Sequence, residues 1–263
     1  MGEMKVVILA GGKGTRISEE SIIKPKPMVE IGDRPILWHI MKIYSYYGFN
    51  DFIICCGYKG YVIKEYFANY YLRMSDVTFD FRNENQLMIH SNIAEPWKVT
   101  LVDTGLETMT GGRIKRIQKY IPKGESFLMT YGDGVSDINI NELIKYHNEK
   151  EATATMTIVQ PDGRYGAVAV DSITGKVKKF VEKPIGDGGW INGGFFALEY
   201  EIFKYLGNDS IVFEREPLER LAEEEKLAAY KHKGYWQSMD SLRDKNILEE
   251  EWRRGTATWK VWT

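Results

Sequence analysis

Short apolar runs alternate with stretches of helical periodicity in the first half of the chain. Residues 6–10, 52–56 and 127–130 are apolar runs that each end at a glycine or a turn cluster, which predicts buried strands. Between them, apolar residues recur three and four positions apart, which predicts helices. The three apolar faces are Ile36, Leu37, Ile40, Met41 and Tyr44; Ile63, Phe67 and Tyr70; and Ile140, Leu143, Ile144 and His147. This alternation predicts a parallel, doubly wound sheet with right-handed crossovers.

The first of these helices has recognisable start and stop signals. Asp33 is a suitable N-cap residue, Pro35 is tolerated in a first turn, and Gly48 is typical of a helix end. We therefore expect one helix between Asp33 and Gly48.

The second half of the chain is richer in strand signals. Residues 152–160, 166–170, 177–182 and 190–198 are rich in β-formers, and the turn sequence SITGK separates the second from the third. We expect antiparallel strands added to the sheet, followed by a helical C-terminus. The predicted class is α/β, a Rossmann-like doubly wound mixed sheet in a single domain, residues 1–263, whose first half ends at about residue 135. Residues 73–97 fit neither pattern and are predicted only as an insertion.

Composition narrows the possible partners. The 263 residues are 43% hydrophobic and 27% charged, with a net charge of -2, which is typical of a globular protein without a basic field for nucleic acid. No apolar run approaches the roughly 18 residues that span a membrane, and the start MGEMKVV does not resemble a secretory signal. The only cysteines, Cys55 and Cys56, are neighbours, which favours a reducing cytoplasm.

Histidines and tryptophans give no sign of catalysis. His39, His90, His147 and His232 have no metal-ligand spacing, so we expect neither a zinc site nor a Ser–His pair. Three tryptophans near the C-terminus, Trp252, Trp259 and Trp262, predict packing onto the core or across a subunit interface.

The stretch VVILAGGKGTR carries the first chemical signal. A strand that ends in glycines places its loop at the carboxyl edge of the sheet, where backbone N–H groups can approach an anion. A simple tight turn explains the glycines about equally well. A P-loop is excluded because Gly11 and Gly12 do not have its spacing, and a dinucleotide fingerprint is disfavoured because Ile17 stands where its third glycine belongs.

A stiff segment, KPKPMV, follows the glycine loop. Pro25 and Pro27 each force the preceding lysine into an extended conformation, so Lys26 is held in place. Most lysines in such loops are solvated. Close to a phosphate loop, however, Lys26 is a good candidate for anion binding.

Two aspartates are candidates for a metal. Asp133 stands between two glycines at the end of the strand 127–130, and Asp240 precedes the last predicted helix. Mg2+ is commonly held by one or two carboxylates together with phosphates. The alternatives are an Asx turn for Asp133 and a helix N-cap for Asp240.

Taken together, LAGGKGTR and KPKPMVEIGDRPIL resemble the signature of the sugar-phosphate nucleotidyltransferases over essentially the whole chain. The resemblance is greatest to the branch that uses CTP and glucose 1-phosphate, and it implies that family's fold, Mg2+ held by Asp133 and Asp240, and a homo-oligomer, by family expectation a hexamer. It also implies Arg16 and Lys26 as catalytic groups at the triphosphate.

The same resemblance implies two sets of binding residues. The nucleotide set is Leu9, Ala10, Gly11, Gly12, Gly14, Thr15, Arg16, Lys26, Thr108, Gly111, Gly112, Arg113 and Asp133. The sugar-phosphate set is Tyr131, Gly132, Tyr165, Gly166, Glu182, Lys183, Asn192 and Gly193. Glu182 would bind sugar hydroxyls, and Lys183 the sugar phosphate. For Asn192 and Gly193 a β-bulge is an alternative explanation.

The loop DTGLETMTGGRIKRI differs from the base-binding loop of the uridylyl and thymidylyl branches. Here Thr110 could cap a helix that Gly111, Gly112 and Arg113 open. The glycines would let the base approach the backbone, and Arg113 would read cytosine. An ordinary capped helix explains the residues nearly as well.

The predicted reaction is cytidylyl transfer to glucose 1-phosphate, without nucleic acid or membrane partners. Three alternatives remain at this stage: the same chemistry with another nucleotide or sugar, a non-catalytic regulatory subunit of the same fold, and an NAD oxidoreductase.

Overall fold

The computed structural model describes residues 4–14, 24–82, 86–161, 167–170, 174, 176–181 and 189–263. The strands within these ranges are β1 (Val6–Ala10), β2 (Glu30–Ile31), β3 (Arg34–Pro35), β4 (Asp51–Cys56), β5 (Ser75–Asp80), β6 (Gln86–Asn92), β7 (Lys98–Asp103), β8 (Phe127–Tyr131), β9 (Gly134–Ser136), β10 (Ala154–Val159), β11 (Ala167–Val170), β12 (Val177–Val181), β13 (Ile191–Leu198), β14 (Leu227–Lys231) and β15 (Trp236–Ser238).

Seven strands form the main sheet, in the order β14-β10-β13-β8-β1-β4-β7. β1 runs parallel to both β4 and β8, and β4 runs parallel to β7, as the alternation of strands and helices predicts. β13 lies antiparallel between β8 and β10, so the sheet is mixed. The strand order reverses at β1, whose sequence neighbour β4 lies on one side and the later strand β8 on the other. Open α/β sheets bind ligands at the carboxyl ends of strands at such a point.

The helices are α1 (Ile36–Tyr46), α2 (Gly60–Ala68), α3 (Tyr70–Arg73), α4 (Thr110–Arg116), α5 (Ile140–Lys150), α6 (Glu216–Glu223) and α7 (Leu242–Arg254), with 3-10 turns at Lys26–Met28, Gln118–Tyr120 and Tyr200–Lys204. Within the described ranges, none of the helices is long and apolar enough to cross a bilayer.

The predicted N-cap of α1 is wrong. Asp33 has a φ of 65° in the turn that joins β2 to β3, and α1 begins after Pro35. Aspartate tolerates the left-handed region, which explains why a short hairpin could be mistaken for a cap. Gly48, with a φ of 91°, follows α1 as predicted.

Two β regions also differ from expectation. The residues between 73 and 97 contain β5 and β6, which form an antiparallel hairpin outside the main sheet. Among the described residues, β11 and β12 likewise form a separate two-stranded sheet, whereas β10 and β13 do join the main sheet. The prediction that all four strands of the second half extend the sheet is therefore correct for two of them.

Burial on both faces of the sheet explains the near-continuous apolar runs. Val6, Ile8 and Ala10 face one core cluster with α1, and Val7 and Leu9 face the other with the Ile114 side of α4. Strands covered on both sides read as apolar runs because every side chain is buried.

The C-terminal tryptophans pack onto the core, as one of the two alternatives predicts. Trp252 and Trp259 lie edge-on to the ring of His39, and Trp262 lies close to both His39 and Trp38. His39 is fully buried and lies 2.8 Å from the carbonyl oxygen of Ile31, and burial lowers its pKa to about 4. This histidine is structural.

Candidate active site

A cleft of about 680 Å³ opens at the carboxyl ends of β1 and β8. Most of the predicted site residues within the described ranges line it. They are Leu9, Ala10, Gly11, Gly12, Gly14, Lys26, Thr108, Arg113, Tyr131, Gly132, Asp133, Asn192, Gly193 and Asp240. Residues distant in sequence thus meet at the edge where the strand order reverses.

Six predicted residues lie outside the described residues: Thr15, Arg16, Tyr165, Gly166, Glu182 and Lys183. Their predicted roles stay predictions.

The glycine loop after β1 rests on Arg113. A Cβ on Gly11 would lie 2.2 Å from Nη1 of Arg113, so the guanidinium packs where a side chain would be. Among the described residues, no atom lies within 4 Å of a Cβ placed on Gly12, so within this part of the chain that position faces open space. Gly14 has a φ of 61°, which glycine adopts without strain. Gly11 is therefore needed for packing, and Gly12 leaves room for a ligand.

Arg113 is 5% exposed and bonded to the protein. Nη1 donates to Oγ1 of Thr104 and to the carbonyl oxygen of Gly105, each at 2.7 Å, and Nη2 donates to the carbonyl oxygen of Gly11 at 3.0 Å. Burial lowers the pKa of Arg113. This geometry does not favour the predicted contact with cytosine, because both terminal nitrogens already have protein acceptors. Arg113 instead holds the glycine loop in place.

The start of α4 also packs against other residues of the protein, so it does not offer a nucleotide base an open surface. Gly111 and Gly112 both donate to the carbonyl oxygen of Ile211, and a Cβ on either would come within 2.7 Å of residues 209–211. Neither glycine lines the cleft. Their small size serves helix packing, so the predicted approach of the base to these glycines is not what the structure shows.

Thr110 is not the N-cap of α4. Met109 is the N-cap residue, without a side-chain cap bond. The Thr110 hydroxyl donates to Oε2 of Glu214 at 2.6 Å and accepts from the backbone N–H of Phe213 at 2.9 Å. A threonine beside a glycine pair gives the sequence signal of a cap, but here its partner is distant in sequence.

The predicted extended conformation of Lys26 is wrong, because Lys26 begins the 3-10 turn Lys26–Met28, which the hydrogen bond from Met28 N–H to the carbonyl oxygen of Pro25 closes. Pro25 and Pro27 still restrict the backbone on both sides of it. Its side chain is buried, and Nζ donates to Oδ2 of Asp133 at 2.6 Å and to Oδ1 of Asp240 at 2.8 Å. Burial alone would lower the pKa of Lys26, but the two carboxylates outweigh it and raise the pKa. Lys26 therefore remains charged throughout the neutral range.

A two-stranded ribbon positions the two aspartates. Asp133 directly precedes β9, Asp240 follows β15 by one residue, and β9 pairs with β15 in antiparallel register. The backbone N–H of Met239 donates to the carbonyl oxygen of Asp133 at 2.8 Å. Ser241, not Asp240, caps α7 through a capping box with Asp244. The helix-cap explanation of Asp240 is therefore wrong.

These carboxylates fit a magnesium ion. Oxygens of Asp133 and Asp240 both lie within 2.8 Å of the same Nζ, so they converge on one point. No cluster of three or more metal-ligating side chains occurs among the described residues. Mg2+ does not need one, because two carboxylates and the oxygens of substrate phosphates and water complete its shell.

The part of the cleft that contains the predicted sugar-binding residues Asn192 and Gly193 is built on an irregular part of β13. The register with β10 shifts so that residues 193–195 oppose the single residue Thr157, and Gly194 has a φ of 80°. A Cβ on Gly194 would lie 2.7 Å from the ring of Tyr131. The β-bulge expected as an alternative is present, and it turns Asn192 and Gly193 towards the cleft wall.

Several cleft residues were not predicted from the sequence. Met109, Thr110, Glu214, Trp236 and Ser238 all line the cleft. The indole N–H of Trp236 donates to the carbonyl oxygen of Gly193 at 2.6 Å, and the hydroxyl of Ser238 donates to Oδ2 of Asp240 at 2.9 Å. Alternation along WQSMD could have identified Trp236 and Ser238, since both share the face of Asp240. Glu214 has no such signal in its charged stretch.

Comparison with known proteins identifies the family and relatives that match nearly the full chain. The Nucleotidyl transferase family model matches residues 5–246. A glucose-1-phosphate cytidylyltransferase of Salmonella typhimurium is 58% identical over 98% of this chain and 100% of its own length. A probable glucose-1-phosphate cytidylyltransferase of Bacillus subtilis is 47% identical, again over 98% and 100%.

Solved structures show the same architecture. HddC from Yersinia pseudotuberculosis is 26% identical, with a TM-score of 0.67 over 95% of this chain and 99% of that one. An apo UDP-glucose pyrophosphorylase, 18% identical over 97% and 99%, has a TM-score of 0.68 and shows the likeness in fold. The matched family model and the relatives of full length together show that the chain belongs to the nucleotidyl transferase family.

Proposed function

We propose that this protein transfers a cytidylyl group from CTP to α-D-glucose 1-phosphate and releases CDP-glucose and pyrophosphate. The observation that carries the proposal is the contact of Lys26 with Asp133 and Asp240 beside the open face of Gly12. The near-full-length similarity to glucose-1-phosphate cytidylyltransferases supports the choice of nucleotide and sugar.

The reaction needs alignment and charge neutralisation rather than a nucleophilic side chain. An oxygen of the sugar phosphate attacks the α-phosphorus of CTP, a new P–O bond forms, and the bond to the β-phosphate breaks as pyrophosphate leaves on the opposite side. A phosphate monoester is largely ionised near neutral pH, so no general base is required. The barrier is repulsion between two anions, and Lys26 lowers it by placing a buried positive charge between them.

The other groups have supporting roles. Asp133 and Asp240 would hold Mg2+, which when bound supplies positive charge to the phosphates. Gly11 and Gly12 line the cleft, and their backbone N–H groups would bind phosphate, while Tyr131, Asn192 and Gly193 line it where the sugar would lie. Arg16 at the triphosphate, and Glu182 with Lys183 at the sugar phosphate, complete the proposed set. Within the predicted base loop, Thr108, Met109, Thr110 and Arg113 line the cleft.

Assembly and compartment are proposed on separate grounds. The hairpin of β5 and β6 exposes Phe79, Phe81, Met88 and Ile89, which supports a homo-oligomer, with a hexamer as the family expectation. Both cysteines are free and buried, which supports a reducing compartment such as the cytoplasm.

Release of pyrophosphate from each of four nucleoside triphosphates, with glucose 1-phosphate and Mg2+, tests the proposal. We expect kcat/KM with CTP to exceed that with UTP by at least about a hundredfold, because the wrong base leaves buried polar groups unpaired. A preference for UTP or dTTP would contradict the choice of nucleotide. Absence of release with all four would indicate a non-catalytic relative.

A further inference from the structure

A chain of hydrogen bonds crosses the cleft wall and ends at Glu214. Nδ2 of Asn192 donates to the Tyr131 hydroxyl at 3.2 Å, and that hydroxyl donates to Oε1 of Glu214 at 2.6 Å. From the other side, the Thr110 hydroxyl donates to Oε2 of Glu214 at 2.6 Å. All four residues line the cleft. One carboxylate thus connects β13 on the sugar side with the start of α4 on the nucleotide side.

The donor and the acceptor can be assigned at both ends of this series of hydrogen bonds. The backbone N–H of Gly194 donates to Oδ1 of Asn192 at 2.8 Å, so the amide oxygen must face Gly194 and the amide nitrogen must face Tyr131. An ionised carboxylate only accepts hydrogen bonds, so the Tyr131 hydroxyl must donate to Glu214. Burial, and next Glu214, raise the pKa of Tyr131 well above its usual value, so this proton stays in place.

The charge of Glu214 also indicates which end of the substrates it serves. A carboxylate close to phosphate groups costs free energy through like-charge repulsion. Lys26 pairs with Asp133 and Asp240, and in the part of the chain that the structure describes no ion pair includes Glu214. The partners of Glu214 are hydroxyl donors, which suits the uncharged part of a sugar phosphate.

We propose that Glu214 is a positioning residue that, through Tyr131, orients the Asn192 amide towards the sugar of the sugar phosphate. The inference rests on the proposed function. Glu214 need not touch the substrate, because its effect is transmitted by the Tyr131 hydroxyl.

Four variants separate this role from simple packing. Tyr131→Phe removes the middle of the chain, Glu214→Leu removes its end, and Glu214→Gln keeps one acceptor. Thr110 can accept a second hydrogen bond, so the glutamine should turn its oxygen to Tyr131 and its NH2 to Thr110. Thr110→Val removes the hydrogen bond from α4 to Glu214, together with the one that the Thr110 hydroxyl accepts from the backbone N–H of Phe213. Glu219→Leu, on the exposed face of α6, is the surface control.

Steady-state kinetics with CTP and glucose 1-phosphate are the measurement, with thermal melting as a check on folding. We expect Tyr131→Phe and Glu214→Leu each to raise the KM for glucose 1-phosphate about tenfold and that for CTP less than about threefold, since one directed hydrogen bond is lost. Glu214→Gln, Thr110→Val and Glu219→Leu should leave the KM for glucose 1-phosphate within about threefold. The double variant Tyr131→Phe/Glu214→Leu should be no worse than the more affected single variant.

The outcomes distinguish the inference from the function. If the wild-type protein releases no pyrophosphate, both are overturned. If the wild type is active but Tyr131→Phe leaves the KM for glucose 1-phosphate unchanged, or the two substitutions are additive, the inference alone is overturned. Because Tyr131→Phe leaves Glu214 and Thr110 in place, this result remains decisive even if Glu214→Leu does not fold.

Discussion

Arg113 and Lys26 are two buried basic side chains that line one cleft, and their hydrogen-bond partners differ in kind. The terminal nitrogens of Arg113 donate to backbone carbonyls and one hydroxyl, whereas Nζ of Lys26 donates to the carboxylates of Asp133 and Asp240. Burial lowers the pKa of Arg113, while the carboxylates overcome burial and raise that of Lys26.

This difference in partners distinguishes a residue that stabilises the structure from residues that can bind substrate and metal. Carbonyl acceptors belong to the backbone and cannot leave, so Arg113 fixes the glycine loop. The carboxylates of Asp133 and Asp240 attract cations, and the ammonium of Lys26 attracts phosphates, so these three groups can exchange partners when substrate and metal arrive. Of the two buried cations, only Lys26 has partners that substrate and metal could replace, so we assign the chemical role to Lys26 and a structural role to Arg113.

The largest expected effect comes from removing the cation on the exchangeable side. Lys26→Ala should lower kcat by about two to four powers of ten, because a charge-assisted contact in a closed site contributes several kcal/mol in the transition state. Lys24→Ala is the matched control, since Lys24 pairs only with the exposed Glu30 among the described residues. Pyrophosphate release and thermal melting are measured together. If Lys26→Ala folds and keeps near wild-type turnover, Lys26 does not take part in catalysis.

The two aspartates should show a smaller, metal-dependent effect. Asp133→Asn and Asp240→Asn should each raise the Mg2+ concentration for half-maximal activity about tenfold or more, because each removes one charged ligand. Their combined cost should be less than the sum, since they would share one ion. Glu107→Gln, at the exposed contact with Lys13, serves as the control. Independent effects, or an unchanged Mg2+ requirement, would contradict a shared site.

The sequence could reveal the parts of this site that are contiguous. The glycine loop and Lys26 lie in short motifs whose strand and proline context fixes the backbone, and Asp133 stands at a strand end. The contact among Lys26, Asp133 and Asp240 spans 107 and 214 positions, so no local pattern shows that one ammonium meets both carboxylates. The resemblance to a family supplied that pairing.

The predictions that failed rest on local sequence patterns, whereas contacts with residues distant in sequence determine the structure at these positions. Gly111, Gly112 and Thr110 look like a helix start open to a ligand, yet residues 209–214 occupy that surface. Helical periodicity places Arg113 on α4, but it does not show that its guanidinium reaches Gly11, 102 positions away. Glu214 lies in a stretch of charged residues that reads as a solvated face. In each case the partner is distant in sequence.

The scaffold side can be tested with a pair of adjacent glycines. Gly11→Ala should destabilise the protein by about 2 kcal/mol, because its Cβ would displace the Arg113 guanidinium from buried acceptors. Gly12→Ala, with open space around its Cβ, should fold normally and instead raise the KM for CTP. Chemical denaturation and kinetics on both variants make the comparison. Equal stability of the two would contradict the packing of Gly11 on Arg113.

The same contact predicts a non-additive pair. In an Arg113→Ala background the added Cβ of Gly11→Ala has space, so the second substitution should cost little further stability. Arg113→Ala should weaken use of CTP and UTP alike, because the arginine holds the loop and does not read the base. A ratio of kcat/KM that shifts towards UTP would restore the base-reading role.

The smallest expected effect concerns a third buried basic side chain, His39, which has no carboxylate partner among its described contacts. Burial lowers the pKa of His39 to about 4 from 6.5, so the folded protein disfavours its protonation. Between these values the unfolded chain binds more protons, and stability must fall as pH falls below about 6.5. From about pH 7 to about pH 5.5 we expect a loss of about 1 kcal/mol from His39. The pH dependence of the free energy of unfolding should therefore be flatter in His39→Gln than in the wild type. An identical pH dependence in wild type and His39→Gln would mean that His39 becomes protonated in the folded state at its ordinary pKa, and would contradict the effect of burial on this histidine.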